Sequence, residues 1–306
     1  MTIALIATGG TIACTAADDG SLVPTVSGAQ LAASVSDATD ESSAAVDIEV
    51  VEFRQLDSSS ITLSDLDDLL AEVHRQLERT DINGVVTTHG TDSMEETALA
   101  LSLFSPGTKP VVLTGAQRAF DHPHGDGPAN LRAAVELAAG SQPGVFVQFG
   151  GMTIPGHAVR KQHTSNLQGF EELDVPAPAR TLPLRPLAKH PVTILAAYPG
   201  AEATLVDAAA HSFAGIIVEA LGSGNTSEEM GTALARALDA GVPVVISTRV
   251  PNGPTTLAYG GAGGGSTLGD KGADAAGMLR PGPARIALAA SLATGVPFAE
   301  LFESED

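Results

Sequence analysis

Two threonine-bearing stretches hold the residues of this chain most able to do chemistry. Thr8-Gly9-Gly10-Thr11-Ile12 follows directly on the apolar run Ile3–Ala7. His89-Gly90-Thr91-Asp92-Ser93-Met94-Glu95-Glu96-Thr97 follows directly on Val85-Val86-Thr87-Thr88. Each puts a hydroxyl in a loop at the C-terminal end of a predicted strand, the edge of an open parallel sheet at which ligands bind. A threonine hydroxyl is weakly acidic and attacks an amide only beside a base or an electropositive group. Gly9 and Gly10 allow a sharp turn and a close approach of backbone to a ligand. A helix starting after Asp92 exposes amide donors suited to an oxyanion or a substrate carboxylate. Two hydroxyls, a carboxylate and free amides form a hydrolytic set.

Plainer readings stand beside these. Thr11 also fits a capping position in a strand–turn–helix loop. Asp92 with Glu95, and Ser93 with Glu96, each fit a capping box. Asp57-Ser58-Ser59 fits a polar loop leading into a helix, and Lys161 alone fits a solvated surface charge. Other chemistries find no support. His89, His122, His124, His157 and His163 match no compact ligand spacing, so no metal is expected. There is no G-x-S-x-G elbow and no G-x-G-x-x-G turn, so neither a serine triad nor a nicotinamide cofactor is expected. Cys14 is the single cysteine, which excludes an internal disulfide and fits a small buried apolar residue.

The elements that must position these loops alternate. Strand-like runs at Thr2–Ala7, Ile48–Phe53, Gly84–Thr88, Pro110–Leu113 and Gly144–Gln148 are separated by helical patterns near Ser64–Arg79, Glu95–Phe104 and Ala129–Ala139. That alternation predicts βαβ units and a parallel sheet. Leu66, Leu69, Leu70, Val73 and Leu77 recur at helical spacing and mark a core face. Val175–Pro191 carries five prolines and reads as a linker. A second α/β pattern follows, with strands at Val192–Ala196, Gly215–Glu219 and Val242–Ser247, while Tyr259–Gly272 is glycine-rich and reads as a loop. The expected organisation is a nucleophile-bearing domain over 1–175, a linker over 176–191, and a smaller α/β domain over 192–306.

Composition narrows the partners. The chain has 306 residues, 36 acidic against 16 basic, for a formal charge of −20, which opposes binding to nucleic acid or to anionic membranes. No apolar run approaches the ~20 residues of a membrane helix. The sequence begins in a strand with no signal-like segment, so a cytoplasmic protein is expected.

The two threonine stretches together resemble the signatures of the bacterial-type L-asparaginases, TGGTI and HGTDTMEET, with Ser93 in place of a threonine. The likeness continues through Thr114–Arg118 (TGAQR), Asp126–Leu131 (DGPANL), Lys161 followed by Thr164, and Arg249–Gly253 (RVPNG), in the family's order. The resemblance implies an α/β fold of two domains and hydrolysis of L-asparagine to L-aspartate and ammonia, without a cofactor. Carried over, Thr11 is the nucleophile that forms an acyl-enzyme, and Thr91 is the second catalytic threonine. Lys161 holds the Thr91 hydroxyl and accepts a proton. Asp92 binds the substrate ammonium and pairs with Lys161. Ser58, with Ser59 beside it, binds the substrate carboxylate. Asn225 completes the site of a partner subunit, which implies a homodimer or homotetramer.

Two departures from the family pattern stand out. Relatives carry a lid tyrosine about a dozen residues after the nucleophile, and Ala13–Gly28 has none; the two tyrosines are Tyr198 and Tyr259. The acidic residue that often follows the RVPxG segment is also missing, since Ala258–Gly265 holds no acid. The alternatives are an amidohydrolase for glutamine or another ω-amide, including the amidase part of a tRNA amidotransferase, and an amino-acid sensor that kept the pocket and lost the rate.

Overall fold

The run Ile3–Ile6 is wholly excluded from solvent, as a strand covered on both faces must be. It lies in strand β1 (Thr2–Gly9), which pairs in parallel with β4 (Asp47–Leu56) on one side and β5 (Gly84–Thr88) on the other. The computed structural model describes residues 1–36, 46–140 and 142–302, and its contacts divide into two units, Met1–Leu173 and Asp174–Asp306.

In the first unit, the hairpin β2 (Cys14–Ala16) and β3 (Leu22–Pro24) and helix α1 (Gly28–Ser36) lie between β1 and β4 in the chain. Helix α2 (Leu63–Glu78) then leads to β5, α3 (Met94–Phe104) to β6 (Pro110–Thr114), and α4 (Gly127–Ala139) to β7 (Gly144–Phe149). A short antiparallel strand, β8 (Met152–Pro155), closes the sheet, whose order is β4-β1-β5-β6-β7-β8. A separate antiparallel pair, β9 (Val159–Lys161) and β10 (Phe170–Glu172), follows.

The chain runs outward from β1 to β4 and then crosses back to β5 on the other side. The order in which strands are added therefore reverses between β1 and β5, and such a switch point opens a crevice at the carboxyl ends of the two strands. Both threonine stretches begin there. Helices α1 and α4 cover one face, burying Leu31, Leu131, Ala134 and Val135 with Ile3, Leu5, Val86 and Val112. Helix α2 opens on a capping box in which Thr62 and Asp65 each accept from the other's backbone. It buries Leu66, Leu69, Leu70, Val73 and Leu77, the stripe expected from the sequence.

The second unit is a four-stranded parallel sheet of order β11 (Val192–Ala196), β12 (Gly215–Ala220), β13 (Val244–Thr248), β14 (Asp274–Ala275). Its helices are α5 (Thr204–Ser212), α6 (Glu228–Asp239), α7 (Gly265–Asp270) and α8 (Pro281–Thr294). Val206, Leu234, Ile216, Val218 and Ile246 form its core. Helix α7 falls inside the glycine-rich stretch expected to be a loop; Leu268, fully buried, anchors it. Among the described residues no helix is long and apolar enough to cross a membrane.

Candidate active site

Three loops meet at the carboxyl edge of β1, β4 and β5, and glycine sets their spacing. Gly10, with φ of 84°, ends the turn after β1; a Cβ there would lie 2.5 Å from Gly90 N. A Cβ on Gly90 would lie 2.3 Å from Ser58 Oγ. Real Cβ atoms do not approach so closely, so Gly10 packs on the Gly90 backbone, and Gly90 on the Ser58 side chain, only because these two residues have no side chain. The register between β1 and β4 also slips after Ala7, with Ala7 opposite Glu52 and Gly9 opposite Leu56. Such an irregularity bends a strand end, and here the end of β4 becomes one wall of a cavity.

That cavity, of about 270 Å³, is lined by Gly10, Thr11 and Cys14 from the first loop and by Gly90, Thr91 and Asp92 from the second. Gln55, Leu56, Asp57 and Ser58 come from the end of β4, and Leu22 and Pro24 from the β2–β3 hairpin. Thr11, Thr91, Asp92 and Ser58 are the lining residues expected from the sequence. Gln55 and Asp57 are not, and their only signal is that they precede the serines at a strand's carboxyl end.

Thr11 opens a 3-10 turn over Thr11–Ala13 and is half-buried, while Ile12 behind it is fully buried. Thr91 is buried. The Lys161 amine, at the end of β9, donates to Thr91 Oγ1 at 2.9 Å and to Asp92 Oδ1 at 2.7 Å. The lysine side chain is largely buried and the Asp92 carboxylate largely exposed. The Asp92 N–H donates to Ser58 Oγ at 3.3 Å, and Ser93 Oγ donates to the Ser58 carbonyl at 2.7 Å. Ser58, Thr91, Asp92 and Lys161 are thus one hydrogen-bonded group.

The capping-box readings of Asp92 and Ser93 give way to these contacts. Ser93 is the N-cap of α3 but its side chain makes no capping bond, Asp92 pairs with Lys161, and Glu95 Oε2 accepts the Lys161 backbone N–H at 2.7 Å. Burial pushes the Glu95 carboxyl above its ordinary value, opposed by that N–H. Behind the loop, His89 is fully buried and bonded to Thr97 and the Gly90 carbonyl, and burial pushes its imidazole below the usual range. His89 is therefore a packed support, not a titrating partner. Burial, with the Asp57 charge second, raises the Cys14 thiol.

Not every expected residue of the first unit lines the cavity. Ser59 does not line it: its N–H donates to Asp57 Oδ1, and successive side chains of the 3-10 turn Ser58–Ser60 point about 120° apart. Asn225 belongs to the second unit, where it pairs with Leu221. Tyr198 and Tyr259, in the same unit, are exposed. The TGAQR and DGPANL stretches brace one another. The Asp126 carboxylate accepts the Gln117 and Arg118 N–H groups at 2.9 and 3.0 Å, and Asn130 donates to the Gly115 carbonyl at 3.0 Å.

Similarity to known proteins runs along the whole chain. Residues 2–185 match the family profile described as "Asparaginase, N-terminal", and residues 191–303 match "Glutaminase/Asparaginase C-terminal domain". An L-asparaginase of Bacillus licheniformis is 33% identical over 297 residues, covering 88% of each chain. A solved structure, named as the thermostable L-asparaginase of Thermococcus kodakarensis, superposes with a TM-score of 0.82 at 25% identity, over 98% of this chain and 95% of that one. Another, named as a "Probable Cytoplasmic L-asparaginase" of Campylobacter jejuni, gives 0.83 at 27% identity, over 98% and 97%. More distant matches include a glutamyl-tRNA(Gln) amidotransferase component of Thermococcus kodakarensis, 33% identical over 207 residues that span 58% of this chain and 47% of that protein.

Proposed function

The chain belongs to the asparaginase/glutaminase family of amidohydrolases, and from that premise we propose that it hydrolyses L-asparagine to L-aspartate and ammonia through an ester on Thr11. The observation that carries the reading is the Lys161 amine bonded to both Thr91 and Asp92 on the wall of a cavity that Thr11 shares. Thr11 Oγ1 attacks the side-chain amide carbon. The hydroxyl proton passes to the amide nitrogen, which leaves as ammonia. Thr91 and Lys161 then orient and deprotonate a water that attacks the ester, releasing aspartate and restoring the Thr11 hydroxyl. Asp92 receives the substrate ammonium, and the Ser58 hydroxyl with nearby loop amides receives its carboxylate. Gly10 and Gly90 line the same cavity, and a backbone N–H donor from these loops would suit the tetrahedral oxyanion.

We also assign the active unit to at least a dimer in which Asn225 of the partner subunit closes the site. The protein is assigned to the cytoplasm, the compartment that the Campylobacter jejuni relative carries in its name. The test is ammonia release from L-asparagine and from L-glutamine in parallel, with intact-mass detection of an aspartyl ester on the Thr11 peptide after rapid quenching. Turnover of asparagine with the adduct on Thr11 is the expected result. Turnover of glutamine alone would replace the substrate, and an adduct on Thr91 would replace the nucleophile. A fully active monomer in the ultracentrifuge at assay concentration would remove the Asn225 assignment.

A further inference from the structure

We propose that Glu95 is a positioning residue: its carboxylate captures the outward backbone N–H of Lys161 and so holds the lysine amine against Thr91 and Asp92. The inference rests on the amide hydrolysis proposed above. It begins in the hydrogen-bond pattern of a short strand pair. Gln162 N–H donates to the Gly169 carbonyl at 2.8 Å, on the β10 side of β9. Alternate residues of an antiparallel strand face opposite ways, so the N–H of Lys161 points away from β10. An outward N–H on an edge strand is ordinarily left to water. Here Glu95 Oε2 accepts it at 2.7 Å.

The consequence is a closed ring of contacts. Thr91 and Glu95 sit on one continuous segment, the loop into α3 and its first turn. Lys161 meets that segment twice, through its amine at Thr91 Oγ1 and through its backbone at Glu95. Between the two contacts lies a four-carbon stem with several rotatable bonds. With the backbone fixed, the amine is confined to a short arc that includes Thr91. With the backbone released, the same amine can reach Asp92 and miss Thr91, because the exposed Asp92 carboxylate can follow it. A misplacement of about 1 Å in a reacting group costs on the order of a hundredfold in rate. Glu95 does not line the cavity and acts only through Lys161. Its neighbour Arg160 pairs with Glu171 across β9 and β10.

Two variants of the full chain test this. Glu95→Gln keeps a carbonyl oxygen that can accept the same N–H, and Glu95→Ala removes it. Each is assayed for ammonia release from asparagine. Each is also acylated with trace acetic anhydride, and Lys161 labelling is read by mass spectrometry against Lys109, Lys189 and Lys271. For Glu95→Ala we expect kcat about tenfold or more below the parent, KM within about threefold, and faster Lys161 labelling; for Glu95→Gln we expect all three near the parent. A Glu95→Ala protein with parental kcat and labelling would overturn the proposal, as would a Glu95→Gln protein as impaired as Glu95→Ala. If Glu95→Ala does not fold, Glu95→Met, apolar and of similar length, takes its place. A parent that releases no ammonia from asparagine refutes the proposed function, while the labelling comparison still reads the Glu95 tie.

Discussion

The two threonines that share the cavity are held in opposite ways. Thr91 is buried, and its hydroxyl oxygen already accepts a hydrogen bond from the Lys161 amine. Thr11 is half-buried, and among the described residues nothing hydrogen-bonds its hydroxyl; its 3-10 turn and the buried Ile12 fix only its backbone. One loop is organised by charge and the other by shape. A hydroxyl already engaged with a base suits proton and water handling, whereas a hydroxyl with free lone pairs on a rigid turn suits attack. The contrast also explains why the two loops need each other. Gly10 and Gly90 touch, so the shaped loop borrows its position from the charged one.

The largest effects should come from the hydroxyls themselves. Thr11→Ala and Thr91→Val should each lower kcat for asparagine by about a thousandfold or more while circular dichroism stays that of the parent. The two should differ in kind. Stopped reactions of the Thr91 variant should accumulate the ester on Thr11, and those of the Thr11 variant should carry none. A folded Thr11→Ala protein with near-parental turnover would reverse the contrast and make the engaged hydroxyl the nucleophile.

Lys161→Met comes next. It keeps the stem and removes the amine, freeing Thr91 to resemble Thr11. Loss of a positioned acid–base group lowers rates by about a hundredfold to ten-thousandfold, and we expect kcat in that range, with KM rising less because Asp92 remains. A loss confined to KM would mean that Lys161 serves binding alone.

A smaller effect tests the contact between the loops. Gly90→Ala would put a Cβ 2.3 Å from Ser58 Oγ. It would also lie 2.7 Å from Ser58 Cβ, so the whole residue and not only its hydroxyl must shift, and we expect KM for asparagine to rise about tenfold with kcat changed less, the pattern of lost ground-state binding. An unchanged KM would show that Ser58 is not a substrate contact.

What the sequence made legible were features with a period or a motif. The stripe from Leu66 to Leu77 identified α2, and the alternation of apolar runs with helices identified the parallel sheets. Thr11, Thr91, Asp92, Lys161 and Ser58 were nominated from two motifs and a likeness, and each of them lines the cavity or bonds to a residue that does. What escaped has a common physical cause. The β2–β3 strands are three residues each, too short for alternation to register, yet Leu22 and Pro24 form a cavity wall. Helix α7 forms in a glycine-rich stretch because Leu268 is buried, which is tertiary packing overriding propensity. Ser58 and Ser59 share one residue type, the likeness put Ser58 first, and the pitch of the 3-10 turn points their side chains apart. Glu95 read as a capping residue because nothing local announces that a strand 66 residues later will offer it an N–H.

The smallest effect returns to Glu95 and concerns stability rather than rate. The groups facing this carboxyl are Glu96 on its own helix and Arg160 and Lys161 on β9. Burial is the largest influence on it and raises its folded-state value, with the Lys161 N–H opposing. In the window between the ordinary carboxyl value of about 4.3 and the raised one, the folded chain therefore holds a proton that the unfolded chain has lost. Stability from this group is complete below that window and falls as pH rises through it. Glu95→Gln imitates the protonated state at every pH and keeps an acceptor for Lys161. Its melting temperature should exceed the parent's at pH 8, where the parent buries a charge, and the two curves should converge toward pH 4. A gap that widened on acidification would mean that the Lys161 N–H outweighs burial and lowers the carboxyl instead. The carboxylate would then stabilise the fold, and the Thr91 loop would owe its order to a charge-assisted hydrogen bond from the Lys161 backbone as well as to the Lys161 amine.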